Sequence, residues 1–281
     1  IKTLLTNGNN STNNFAATSF QSLATVAVSD TTVSIADLND AIAQANTATG
    51  GTTTVFSVAS GALITTGDEA AFSTLLTNES NGNIAITDQN LTVSSGTISV
   101  DNANLLNATT TGTVTAAIDL TEDVDELTTL SGTGAYTIVI ASGDATGSTA
   151  AEFNTINSAT TVAIDASEVT ALASSNLSDV KTLLTAANDT DQFTDSTGQV
   201  SFGGLTAVTI ADATVDVSDF NAAVTQANTA TGKTTAANGG GATVFTLSNA
   251  TAFNGGTAAD FATLITNEDK SLISGGITTQ L

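Results

Sequence analysis

Apolar and polar positions alternate in short blocks, and the blocks recur in a fixed order. A few residues of alternating or continuous apolar character lead through a polar turn to an apolar stripe of helical period. Strands are predicted where β-formers alternate or run together: 25–28, 54–58, 84–87, 114–118, 136–140, 161–164, 207–210 and 243–247. Two helices carry start signals. Ser34 with Asp37, and Asp216 with Asp219, have the spacing of a capping box with a shortened acid. Leu38, Ile42 and Ala45 then form one stripe, as do Phe220, Val224 and Ala227. Gly50 and Gly232 stand just past these helices, where a C-terminal glycine belongs. A further helix is predicted around Phe72, Leu75 and Leu76, and again around Phe261, Leu264 and Ile265. Weaker helical patterns cover 122–130, 150–156 and 177–186.

The order recurs because the sequence does. VSDTTVSIADLNDAIAQANTATG, starting at Val28, aligns with IADATVDVSDFNAAVTQANTATG, starting at Ile210, with 13 of 23 positions identical. The match extends upstream to KTLLT at Lys2 and at Lys181. Downstream it reaches AAFSTLLTNE ending at Glu79 and ADFATLITNE ending at Glu268. Phe20 and Phe202, Phe56 and Phe245, and Phe72 and Phe261 fall at matched places, which marks them as core rather than as a binding stripe. Residues 1–80 and 181–281 are therefore two copies of one unit, and 81–180 holds diverged strand–helix repeats of similar texture. One strand and one helix recur roughly every 20–30 residues, the spacing of an α/β solenoid. The expected fold is an α/β repeat of short strands alternating with short helices, stacked like a solenoid. Tandem compact α+β domains are the alternative.

Composition narrows the chemistry. There is no Cys, His, Met, Pro or Trp, and a single Tyr. The four positive side chains are lysines: Lys2, Lys181, Lys233 and Lys270. That excludes a disulfide framework, a thiolate or imidazole metal site, a histidine base and a guanidinium fork. At a net charge of −23 nucleic acid is repelled, because phosphate binding needs clustered cations. No apolar run has the 18 or more residues of a membrane span. Hydrophobic residues make up 41%, enough for a packed core. The chain has no initiator Met and no signal peptide. It opens inside the motif Ile1-Lys2-Thr3-Leu4-Leu5-Thr6, so it reads as a processed or excised piece of something longer.

The segment TVAIDASEVTALASSNLSDVKTLLTAAND, residues 161–189, resembles the degenerate repeats of very large, acidic, Thr/Ala/Asp-rich cell-surface proteins of aquatic bacteria, a group that includes S-layer, calcium-binding and adhesin-like proteins. The shared pattern is a strand ending in Ile-Asp-Ala-Ser, a polar turn, and a capped Asp-Val-x-x-Leu-Leu helix. It covers 113–190 well and the rest loosely. The resemblance implies an extracellular, cell-surface location and a structural or adhesive role. The glycine-rich nonapeptide calcium repeat of many such proteins has no counterpart here.

Calcium, which takes oxygen ligands, is the metal suited to the side chains that remain. Asn188, Asp189, Asp191 and Asp195 gather in NDTDQFTDSTG, a loop by its turn residues, and are the candidate ligands. Asp119, Glu122, Asp123, Asp125 and Glu126 form a second acidic cluster. Neither follows the EF-hand pattern, and the plain alternatives are a solvated loop and the acids of a helix start. In the first copy the loop reads NNSTNN from Asn9, with amides in place of acids. Lys2 and Lys181 occupy equivalent places, either as solubilising charges on a helix face or as amines for an intramolecular isopeptide. No pair of carboxylates is set apart for glycosidase chemistry, so no enzyme is expected. Threonines do not rank at a fixed short period, as an ice-binding face would require. A carbohydrate-binding module is disfavoured by the single Tyr and absent Trp.

The expected function is an extracellular structural protein, a self-assembling protomer of a filament, sheath or surface layer. Its partners would be identical copies of itself and, at the cell surface, polysaccharide. Repeat ends bury their apolar faces only against another unit, and polar capping repeats are not evident at either end of the sequence. The alternative is a passive spacer segment of a large calcium-dependent adhesin.

Overall fold

A computed structural model of the chain describes residues 1–9, 20, 22–49, 53–144, 146–195, 197–198, 201–230, 242–248 and 252–274. It is an α/β fold of parallel strands alternating with helices. The chain divides into two compact units, 1–119 with 130–136, and 120–129 with 137–281.

In the first unit α1 (Lys2–Gly8) is followed by strand, strand and helix, three times over. The sets are β1 (Thr25–Val28), β2 (Thr32–Ser34) and α2 (Ile35–Ala48); β3 (Val55–Val58), β4 (Leu63–Gly67) and α3 (Glu69–Ser80); and β5 (Ile84–Ala85), β6 (Asn90–Val93) and α4 (Val100–Thr109). β7 (Val114–Ala117) and β8 (Ala135–Thr137) come next. Within the three sets each strand pairs with its counterpart in the next set, and β7 and β8 continue the sheet beyond β6. One parallel sheet is therefore β1-β3-β5 and the other is β2-β4-β6-β7-β8, whose residues up to Tyr136 belong to this unit. Parallel pairing demands a crossover between partners, and α2 and α3 supply it. Register follows burial. Val33, Ile64, Leu91 and Val114 are directly opposed across four strands, and all are buried. Each such side chain contributes about 1.5–3 kcal/mol when removed from water.

In the second unit α5 (Val124–Leu127), α6 (Ala150–Ser158), β9 (Ala171–Ser175) and α7 (Leu177–Ala187) precede two full sets. These are β10 (Ala207–Ile210), β11 (Thr214–Asp216) and α8 (Val217–Ala230), then β12 (Val244–Leu247), β13 (Ala252–Asn254) and α9 (Ala258–Asp269), with β14 (Ile273–Ser274) after them. The sheets are β9-β10-β12-β14 and β11-β13, again parallel. Leu172, Val208, Phe245 and Ile273 form the buried rank here. Phe202 sits edge-on to Phe153 and Phe193, and Phe220 edge-on to Phe245 and Phe253.

The two copies match element for element: β1, β2, α2, β3, β4, α3 and β5 answer β10, β11, α8, β12, β13, α9 and β14. Even the backbone exceptions match. Among the described residues, Thr66 and Ser271 are the non-glycine residues with positive φ, at 65° and 57°, and their counterparts in the other copy are Gly255 and Gly82, also left-handed.

Several expectations are refined. Leu38, Ile42, Ala45, Phe220, Val224 and Ala227 are buried as the stripes require. Phe56, Phe245, Phe72 and Phe202 are buried too, whereas Phe20 and Phe261 are half-buried. Leu76 is only half-buried and Ile265 is exposed, because they lie on the flank of the helix rather than over the sheet. The 161–164 stretch is no strand; Ile164 makes a single bridge to Phe193. The 122–130 pattern forms one turn, α5, begun by a reciprocal box between Asp123 and Glu126. The helix of residues 100–109 lies between predicted elements. Gly50 and Gly232 lie outside the described residues.

Candidate functional site

The helices stack in chain order within each unit, α1 on α2 on α3 on α4, and α5 on α6 on α7 on α8 on α9. A polar link joins successive helices at one recurring place. The fifth residue of the leading helix reaches the third residue of the next. Asn39 in α2 donates through Nδ2 to the Ala71 carbonyl at 2.9 Å, Asn154 in α6 to the Asp179 carbonyl at 3.0 Å, and Asn221 in α8 to the Asp260 carbonyl at 2.8 Å. In α7 the fifth residue is Lys181, which donates to the Asp219 carboxylate. Its counterpart Lys2 pairs with Asp37 at 2.8 Å and Asp40 at 2.7 Å. A second amide backs the first: Asn78 donates to Asn39 Oδ1 at 3.2 Å, and Asn267 to Asn221 Oδ1 at 3.1 Å. Between α3 and α4 the link is Glu69, whose Oε1 accepts from the Ser99 amide, the Ser99 hydroxyl and Asn102 Nδ2 at 3.0, 2.9 and 2.7 Å.

Beside the lysine links lies the same groove twice. In the second copy it spans about 760 Å³ and is walled by Lys181, Thr182, Asp212, Thr214, Asp216 and Asp219, among others. In the first it spans about 410 Å³, and Lys2, Thr3, Asp30, Thr32, Ser34 and Asp37 hold the equivalent places. Five of these six positions carry the same residue in both copies. Several of the groove's polar groups are engaged by the protein itself. Asp212 accepts from the Leu177 amide at 2.6 Å and so starts α7. Asp216 accepts from the Ser218 amide and hydroxyl and from the Asp219 amide, at 2.9, 2.6 and 3.1 Å, and so starts α8. These bonds, the Ser218 hydroxyl first, hold the Asp216 carboxyl below the usual carboxylate range. Asp37 and then Asp40 push the Lys2 ammonium well above the usual lysine range. Acids placed beside an amine in this way join two helix starts. A general acid at neutral pH needs the opposite shift.

The predicted calcium ligands fall in the turn after α7. Asn188 caps that helix and donates through Nδ2 to the Leu184 carbonyl at 2.7 Å and the Gln226 carbonyl at 3.3 Å. Asp189 accepts from the Asp191 amide at 3.0 Å and from Gln192 Nε2 at 3.1 Å, which hold its carboxyl below the usual range. Asp195 accepts from the Thr197 amide and hydroxyl, at 2.8 and 2.7 Å. Calcium takes six to eight oxygens; the Asp189 and Asp195 carboxylates turn toward donors of their own turns. Among the described residues no three acidic side chains gather to hold a metal ion. The turn delivers Phe193 into the core. In the first copy Asn9 repeats the Asn188 contact, donating to the Gln44 carbonyl and Oε1 at 2.9 and 2.7 Å, while residues 10–14 lie outside the described residues. In the other acidic cluster Asp123 and Glu126 serve the α5 cap, and Asp119 accepts from the Thr97 hydroxyl at 2.9 Å.

Asn39, Asn154 and Asn221 were not singled out by the sequence pattern, although Asn39 and Asn221 are identical positions of the repeat. Asp30 and Asp212 stand in the same position. No helix among the described residues is long and apolar enough to cross a membrane. Comparison with models of protein families, with curated proteins and with solved structures returns no match.

Proposed function

We propose that the chain is a non-enzymatic, extracellular structural protein, a protomer that assembles with copies of itself into a filament, sheath or surface layer. We read the strand–strand–helix sets as turns of a solenoid within each unit. The observation that carries the proposal is the recurring link from helix to helix, kept with its parallel ladders in both copies. A fold that grows by adding one set to the next buries each set's apolar flank only when a neighbour is present. The same geometry, repeated between molecules, extends the structure without a new kind of contact. Lys2, Lys181, Asp212 and Asp216 in the grooves serve helix starts and inter-helix links, which suits a scaffold. The resemblance of residues 161–189 to bacterial surface proteins supports the extracellular location.

A net charge of −23 works against assembly. Salt or divalent cations lower that repulsion, because at 0.15 M ionic strength exposed charges separated by more than about 8 Å are largely screened. Sedimentation velocity across a concentration series, in millimolar calcium and in EDTA, tests the proposal. Mass is expected to grow with protein concentration, and more steeply in calcium. A monomer at every concentration in both buffers overturns self-assembly in favour of a spacer segment of a larger adhesin.

A further inference from the structure

Asparagine is followed by glycine at four places: Asn7–Gly8, Asn81–Gly82, Asn238–Gly239 and Asn254–Gly255. At such a pair the glycine amide nitrogen can reach the asparagine Cγ, because no Cβ stands beside the attacking atom. Asn238 and Gly239 lie outside the described residues; the fold treats the other three pairs differently. Gly8 ends α1 and is half-buried, and a Cβ there would collide with the Phe20 ring. Asn81 and Gly82 are exposed, but Asn81 continues the right-handed backbone of α3, with φ −80° and ψ −1°, and the Gly82 amide donates to the Glu79 carbonyl at 2.9 Å. Asn254 and Gly255 are exposed at the end of β13, and among the described residues the Gly255 amide makes no hydrogen bond. Where the described chain stops does not set this exposure. Thr66, the counterpart of Gly255, is exposed as well, although β6 is paired on its strand.

We propose that Asn254 is a modification site, where the side-chain amide is lost to water and the residue becomes aspartate or isoaspartate. The Gly255 amide gives its proton to hydroxide, and its nitrogen bonds to Asn254 Cγ. The Cγ–Nδ2 bond breaks, and ammonia leaves with a proton taken from water, closing a five-membered succinimide. Water then opens the ring. Attack at Cγ restores the backbone and gives aspartate; attack at the backbone carbonyl carbon leaves the chain running through Cγ as isoaspartate. Nothing is oxidised or reduced: one amide and one water become one acid and one ammonia. The new charge falls beside existing ones. Asn254 opposes Asp216 in the β11–β13 ladder, and the Asp216 carboxylate lies against Gly255. Asp216 starts α8 through the Ser218 and Asp219 amides, and Asp260 starts α9 through the Thr257 amide. The reaction therefore adds negative charge, slowly and without reversal, where two helices begin. The first copy has Thr65 and Thr66 in place of the pair, with Ser34 opposite Thr65, so neither the reaction nor the repulsion has a counterpart there.

The test holds the full, unaltered chain at mildly alkaline pH, folded and in concentrated urea, and samples both over days. Peptide mapping with fragmentation finds which asparagines gain the mass of a hydroxyl in place of an amino group. In the folded chain Asn254 is expected to convert several-fold faster than Asn7 and Asn81. In urea, where the fold no longer distinguishes them, the three are expected to convert at similar rates. Asn7 or Asn81 keeping pace with Asn254 in the folded chain overturns the assignment, as does an Asn254 that converts in urea but not when folded. A lead for Asn254 that is equally large in urea belongs to its neighbours in sequence and overturns the part given to the fold. Two variants check the consequence. Asn254→Asp is expected to have a lower urea midpoint than Asn254→Ser at neutral pH, with the gap closing in high salt. Equal midpoints at low salt would show that charge at this position does not disturb the helix starts.

Discussion

Two residues carry a backbone strain that the repeat reveals. Thr66 and Ser271 hold left-handed φ values where the other copy has glycine, and a β-branched residue there is a marked outlier. Such strain costs on the order of 1 kcal/mol or more. Thr66→Gly and Ser271→Gly are each expected to raise stability by about 0.5–1 kcal/mol, after the extra chain entropy glycine brings to the unfolded state. Gly255→Thr is expected to destabilise, since a Cβ at Gly255 would collide with the Asp216 carboxylate. Urea midpoints of the single variants check both signs. The asparagine links make a second prediction. Asn221 is buried, donates to the Asp260 carbonyl and accepts from buried Asn267. Asn221→Ala strands both partners and is expected to cost about 1–3 kcal/mol. Asn39→Ala is expected to cost less, because its surroundings are more open to water. Equal losses at the two sites would show that burial does not set the value of the link.

Element starts are where charge acts on stability. Glu69, Asp216 and Asp260 each accept from amides at a helix start and are held below the usual carboxylate range. The leading causes are the Ser99 amide for Glu69, the Ser218 hydroxyl for Asp216 and the Thr257 amide for Asp260. A carboxyl whose pKa is lower folded than unfolded contributes stability above its unfolded value and loses it as pH falls through the folded one. With no His to titrate, stability of the monomer is expected to be nearly level from pH 6 to 8. It should fall below about pH 4, where carboxyls of ordinary pKa take up protons. Glu69→Gln should shrink the acid part of that curve, as followed by thermal unfolding against pH. The same elements show what the sequence makes legible. Helices with long apolar stripes and side-chain caps, α2 and α8, stand out because 14 residues display a period. β2 and β11 do not, because each has three residues and runs straight into a helix start. So the second strand of every set was hidden, and with it the paired sheets.

At the scale of the molecule, the duplication was plain in the letters but its consequences were not. Leu4 and Leu183 are the same residue in the same motif, yet one side chain is exposed and the other buried, because α7 lies in a fuller surrounding of helices and strands. The links behave alike: Asn39 and Asn221 match in sequence, yet their partners lie 32 and 39 residues away on the next helix. The 188–195 loop shows the reverse. Its acidic letters suggested a site, and in the fold the Asp189 and Asp195 carboxylates bond donors of their own turns. Charge sets the conditions for assembly, since −23 on one chain must be screened before apolar flanks meet. Negative-stain electron microscopy of the purified, unaltered chain at neutral pH and 0.15 M salt is the most direct measurement of the central claim. Regular filaments or sheets that thin out on dilution or in EDTA are the predicted result. Fields of separate, uniform particles at every concentration, with and without calcium, would contradict it.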